Sequence, residues 1–162
     1  MRGILGQRSG KTGLPPGTLI HIGQPRTGPI RLRLFEYDPA DCHDRALASA
    51  ADCVVPEGGS KNYWLDVGGI HQVSVIEQLG QIFHLHPLML EDVVNTDQRP
   101  KADAYGDYLF LVIKMLHVGD QGDSIAAEQV SLVLGPQFVI SFQENGGDVF
   151  DPVRTRLKNP KG

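Results

Sequence analysis

Cysteine is scarce: only Cys42 and Cys53 occur, and neither has a second Cys or a set of His at the spacing that closes a zinc site. Both read as ordinary thiols of a reducing compartment. A basic excess is also missing, since 15 Lys and Arg stand against 19 Asp and Glu for a formal charge of -4. A nucleic-acid surface, which shows itself as clustered basic residues, is therefore not expected, and the short pair Arg31 and Arg33 does not change that. Long apolar runs are absent too. The stretch Leu109 to Ile113 ends at Lys114, far below the roughly 20 apolar residues that span a bilayer. The N-terminus has no apolar signal-peptide core, so nothing supports export.

Catalytic signatures are equally thin. Gly10-Lys11-Thr12 suggests a phosphate loop, but that motif needs a glycine where Leu5 stands, and no strand precedes it. No Ser sits in a Gly-x-Ser-x-Gly elbow, and neither Cys is placed as an activated nucleophile. His84 and His86 flank Leu85, a spacing that shares a face only on a strand, whereas here they bridge two predicted helices. Glu144 and Asp148 flank the Asn145-Gly146-Gly147 turn, where acidic residues are commonly solvated or capping. An enzyme is not expected.

What is present suits one globular domain: 162 residues, 41% of them apolar. Residues 1–17 are rich in Gly and Arg and read as a flexible lead without a core of its own; residues 18–162 form the domain. Strands are predicted at Thr18–Ile22 and Ile30–Tyr37 with a hairpin loop between them, and at Asn62–Val67. Alanine-rich Asp41–Ala51 predicts a short helix. Val73, Ile76, Leu79, Ile82 and Phe83 recur at helical spacing. His86-Pro87 opens a further helix, with Pro in the first turn, and Pro100 lies beyond its end. Tyr108–Val118, Ala126–Leu134 and Phe138–Phe142 predict an antiparallel meander, and Pro152–Leu157 the start of another helix. The fold class is α/β: a mixed β-sheet sandwiched by helices (αβα), with that C-terminal meander. A sequence that stops at Gly162, just after a helix has begun, leads to the expectation of a longer parent chain.

Glu91 and Asp92 are two adjacent carboxylates within an otherwise apolar helix. Hard oxygen ligands of this kind suit Mg2+ or Ca2+, and Mg2+ characteristically takes one or two carboxylates and keeps several waters. Adjacent helical residues diverge by about 100°, so the pair faces two places or binds through water. A solvated helix end is the plainer reading of the same residues.

Trp64-Leu65-Asp66-Val67, Gly69-Ile70-His71, His86-Pro87-Leu88 and Leu90-Glu91-Asp92 resemble the CorA magnesium-transporter family. The likeness continues through Asn95, Gln98-Arg99-Pro100-Lys101, Tyr108, Lys114-Met115, Glu128-Gln129-Val130-Ser131, Phe142-Gln143-Glu144 and Gly147-Asp148-Val149-Phe150-Asp151-Pro152-Val153-Arg154, in the family's order. This resemblance implies a cytoplasmic regulatory domain ahead of a stalk helix and two membrane helices, in a pentameric channel of the cell membrane. It implies Mg2+, with Co2+ or other divalent ions possible, as the ion bound. Asp92 matches the main regulatory ligand at the contact between subunits, and Glu91 a second-site or water-mediated one. Asp97 departs from relatives that carry His before Gln-Arg-Pro-Lys. The alternatives are a ZntB-like zinc transporter domain and a soluble α/β small-ligand protein or enzyme.

Overall fold

The structure is a computed structural model that describes residues 15, 17–24, 26–56, 58–118, 125–147 and 149–159. Gly10-Lys11-Thr12, most of the expected lead, the Gly119–Asp123 loop and Asp148 lie outside the described residues.

Strand β1 (Arg31–Tyr37) pairs antiparallel with β2 (Cys42–Leu47) on one side and with β3 (Asn62–Gly68) on the other. Two helices follow, α1 (Val73–Ile82) and α2 (Pro87–Val93). After them β4 (Lys101–Tyr105), β5 (Tyr108–Val118), β6 (Ile125–Leu134) and β7 (Phe138–Gln143) run as an antiparallel meander, and α3 (Asp151–Lys158) comes last. β7 returns to lie parallel to β3, giving one mixed sheet of order β2-β1-β3-β7-β6-β5-β4.

β3 is central and buried on both faces, so it reads as a near-continuous apolar run rather than an alternating one. Its odd-numbered side chains Tyr63, Leu65 and Val67 join Leu32, Leu34, Ile140 and Phe142 on one face. There Ile76 and Leu79 of α1 and Met89, Leu90 and Val93 of α2 cover them. The opposite face carries Phe35 stacked on Trp64 at 4.8 Å, with Phe150 set edge-on to Trp64 at 5.7 Å. α3 lies on this side, and its Arg154 reaches Asp66 of β3. The expected αβα layering is therefore present.

Two local expectations fail, and one strand was not expected. Asp41–Ala51 is no helix: β2 occupies Cys42–Leu47, and only Ala50–Asp52 turns, in 3-10 geometry, with Asp52 accepting from the Ser49 N–H at 2.9 Å. Alanine's helix preference is worth only tenths of a kcal/mol per residue, and pairing with β1 overrides it. In Thr18–Ile22 no strand forms; Ile22 alone bridges to Asn95, through Ile22 N–H to the Val94 carbonyl at 2.9 Å. β4 was not anticipated, because Lys101-Ala102-Asp103-Ala104-Tyr105 holds poor strand formers.

Candidate functional site

α2 is set by its first turn. Pro87 opens the helix where its missing N–H is harmless, and the His86 ring accepts from the Leu88 N–H through Nδ1 at 3.2 Å. The Tyr108 hydroxyl in turn accepts from the His86 N–H at 2.8 Å. His86 is thus a helix cap, while His84 sits in the turn before it with φ of 52°. Buried Met89, Leu90 and Val93 fasten the helix to the sheet, which leaves Glu91 and Asp92 half-buried along its flank.

The two carboxylates engage different segments, as helical geometry demands. Glu91 accepts from the Gly17 N–H at 3.2 Å. Asp92 stands in the last turn, where the helix dipole is negative and α2 itself supplies no basic residue. Its compensation comes from the chain that follows: Gln98 Nε2 donates to Oδ1 at 2.6 Å and Lys101 Nζ to Oδ2 at 2.7 Å. The Asp92 side chain remains 20% exposed. Lys101 also meets Asp103 at 2.8 Å. Partial burial opposes its charge, but the hydrogen bonds to Asp103 and Asp92 outweigh that and hold the ammonium above the ordinary lysine range.

The C-terminus of α2 is tied to the sheet by Gln129 of β6, whose Nε2 donates to the Asp92 and Asn95 carbonyls at 3.2 and 3.0 Å. Lys114 of β5 donates to the Thr96 carbonyl at 2.6 Å and to Gln129 Oε1 at 3.2 Å. Glu144 accepts from the Gln129 N–H at 3.3 Å, and Glu128 from the Asn145 N–H at 2.6 Å. These carboxylates fix backbone at the end of the meander. Asp97 donates its N–H to Asn95 Oδ1 at 3.1 Å within the turn that leaves α2.

Sequence reasoning missed Lys101 and Gln98 as partners of Asp92. Gln98-Arg99-Pro100-Lys101 reads locally as a fixed turn, and nothing in a nine-residue separation says that the chain doubles back to the helix end. Among the described residues no three His, Cys, Asp or Glu side chains gather where they could hold one metal ion.

Other reactive groups are inert or apart. Burial pushes the Cys53 thiol up to about 11, which keeps it protonated and unreactive at neutral pH. A cavity of about 540 Å³ lies where Phe83, His84, Tyr105, Tyr108 and Phe138 converge, at the end of β4 remote from Lys101. Its lining contains no Ser, Cys or Lys to act as a nucleophile. Among the described residues no helix is long and apolar enough to cross a membrane.

The fold is that of an α/β domain present in solved structures of other proteins. The full-length CmaX protein superposes with a TM-score of 0.67 at 12% identity, over 85% of this chain and 42% of that one. The soluble domain of CorA from Methanocaldococcus jannaschii does so with a TM-score of 0.58 at 8% identity, over 80% of this chain and 48% of that one. At such identities the likeness is one of fold. Residues 59–162 match the family described as CorA-like Mg2+ transporter protein, and the chain belongs to that family. It is also 36% identical over 154 residues to the cobalt/magnesium transport protein CorA of Thermotoga maritima, covering 95% of this chain. The chain spans 44% of that relative's length.

Proposed function

We propose that residues 18–162 form the cytoplasmic, divalent-cation-sensing domain of a CorA-type magnesium channel. In this reading Asp92 is the principal ligand and Glu91 a second or water-mediated one, for Mg2+ or Co2+, at the contact between protomers of a homopentamer in the cell membrane. Family membership and the 36% identity to a cobalt/magnesium transport protein support it. The observation that carries it is the placement of Asp92. A half-buried carboxylate at a helix end is held by a neutral amide and one ammonium, both replaceable from solvent.

The donor chemistry fits. Carboxylate oxygens are hard ligands, and Mg2+ needs only one or two of them because it keeps several waters. One chain that offers no closed set of three ligands among its described residues suits a site completed by water and by a neighbouring protomer. A bound ion would supply two positive charges between facing carboxylates. With those charges present, Asp92 and an acidic group of the next protomer tolerate proximity and the ring stays symmetric and closed. Without them the bridge between protomers is lost, the subunits move, and the ring relaxes toward conduction. Such a shift requires that the closed state bind the ion better than the open one.

Replacing Asp92 with Ala in the full-length protein tests this reading by uptake measured at graded internal Mg2+. Half-inhibition is expected to move to at least about tenfold higher Mg2+, the effect of losing about 1.4 kcal/mol of ion binding. Inhibition that stays at the parent concentration overturns it.

A further inference from the structure

The ammonium of Lys101 lies between two carboxylates, 2.7 Å from Asp92 Oδ2 and 2.8 Å from Asp103 Oδ2. Lys101 and Asp103 are alternate residues of β4, so they share one face of that edge strand, and the face looks toward the end of α2. Its backbone is pinned by pairing with Val112 of β5, and its Nζ stands 5.7 Å from the centroid of the Phe110 ring. The side chain can therefore swing between the two acids while its strand stays still.

Two cations cannot both hold Asp92 closely. A divalent ion held by the Asp92 carboxylate would have to take the place of the ammonium, because like charges that close repel. Asp103 offers the displaced ammonium an acceptor already within hydrogen-bond distance, with its own side chain 41% exposed. The exchange needs no new burial and no backbone movement.

We propose that Lys101 is a resident counter-cation of the sensing site: it occupies Asp92 when divalent ion is scarce and is displaced onto Asp103 when the ion binds. This rests on the reading of Asp92 as a ligand. It adds that the empty site is not a bare carboxylate, and that competition from a tethered monovalent charge sets the ion concentration at which the site fills. Asp103 is then a positioning residue that makes displacement easier.

The test is Mg2+ binding to the full-length protein in detergent micelles, read by titration calorimetry and by the Mg2+-dependent rise in unfolding temperature. Asp92→Asn first defines the component of the isotherm that belongs to this site. On that component Lys101→Met is expected to tighten binding at least tenfold, about 1.4 kcal/mol. Lys101→Arg should keep the parent midpoint, and Asp103→Asn should weaken binding several-fold by confining the ammonium to Asp92. A merely structural role for this pair would move both neutral variants in the same direction, and that result overturns the proposal. So does equal tightening by Lys61→Met, which removes a charge paired elsewhere, with Glu36. If Asp92→Asn removes a component that Lys101→Met leaves at its parent midpoint, the exchange fails and Asp92 stands as a ligand. If Asp92→Asn changes nothing, the ligand assignment fails and takes the exchange with it.

Discussion

Asp66 is wholly buried in the central strand and survives there because it is surrounded by donors. Arg154 gives it Nε at 3.1 Å and Nη2 at 2.6 Å, and the Ser141 hydroxyl donates at 3.0 Å. Ser141 Oγ in turn accepts from the Trp64 indole at 2.9 Å, and Asp151 holds the remaining side of the guanidinium. Trp64, Asp66 and Arg154 all belong to the segments that carried the family resemblance, and the fold explains why they occur together. One buried charge requires the other, 88 positions away. A buried pair adds little net stability over an apolar replacement, but breaking it leaves Asp66 with only the longer ion pair to Arg31 at 3.5 Å, at a cost of up to about 3–5 kcal/mol. Arg154→Met should therefore lower the unfolding free energy by up to that amount in urea titrations. The double variant Asp66→Leu, Arg154→Met should regain part of it. Equal loss in both would mean that packing, rather than charge, dominates here.

The contact between α1 and α2 depends on a residue with no side chain. A Cβ at Gly80 would stand 2.2 Å from Leu90 Cδ1, and Leu90 is only 5% exposed, directly before Glu91 and Asp92. Alanine is the better helix former by about 1 kcal/mol, yet overpacking a filled core costs about 1–3 kcal/mol. Gly80→Ala should thus destabilise by up to about 2 kcal/mol in chemical denaturation; a gain in stability would show that Leu90 repacks freely. At this scale the sequence is legible where one local signal suffices. The apolar period of α1, the Pro at the start of α2 and the turn-bounded runs of β5 to β7 each match their elements. Legibility is lost where a partner decides. β2 and β4 are the two edge strands, composed of residues such as Ala, Asp and Lys with weak strand preference, and each exists because a neighbour pairs with it. The ligand candidates Glu91 and Asp92 were visible as unusual carboxylates in an apolar helix. The charge that Asp92 meets was not, since Lys101 reaches it only through the edge strand β4.

Across the whole molecule, the sheet joins two parts built from opposite ends of the chain. β1 to β3 form one and β4 to β7 the other, and among the described residues the parallel pairing of β3 with β7 is the only strand pairing between them. Were that seam weak, the halves could open separately. Several features bind it: β3 and β7 are buried on both faces, α1 and α2 pack across it, and the bonds from Trp64 to Ser141 and from Ser141 to Asp66 cross it directly. Trp64, the one tryptophan in the sequence, is 5% exposed at this seam, so its fluorescence reports the junction while far-UV circular dichroism reports all elements. A single cooperative unit requires the two signals to change together. We expect coincident urea midpoints for residues 1–162, and the same coincidence at a lower midpoint in Ser141→Ala, which loses both bonds across the seam. A fluorescence transition that precedes the loss of circular dichroism would show the halves parting first.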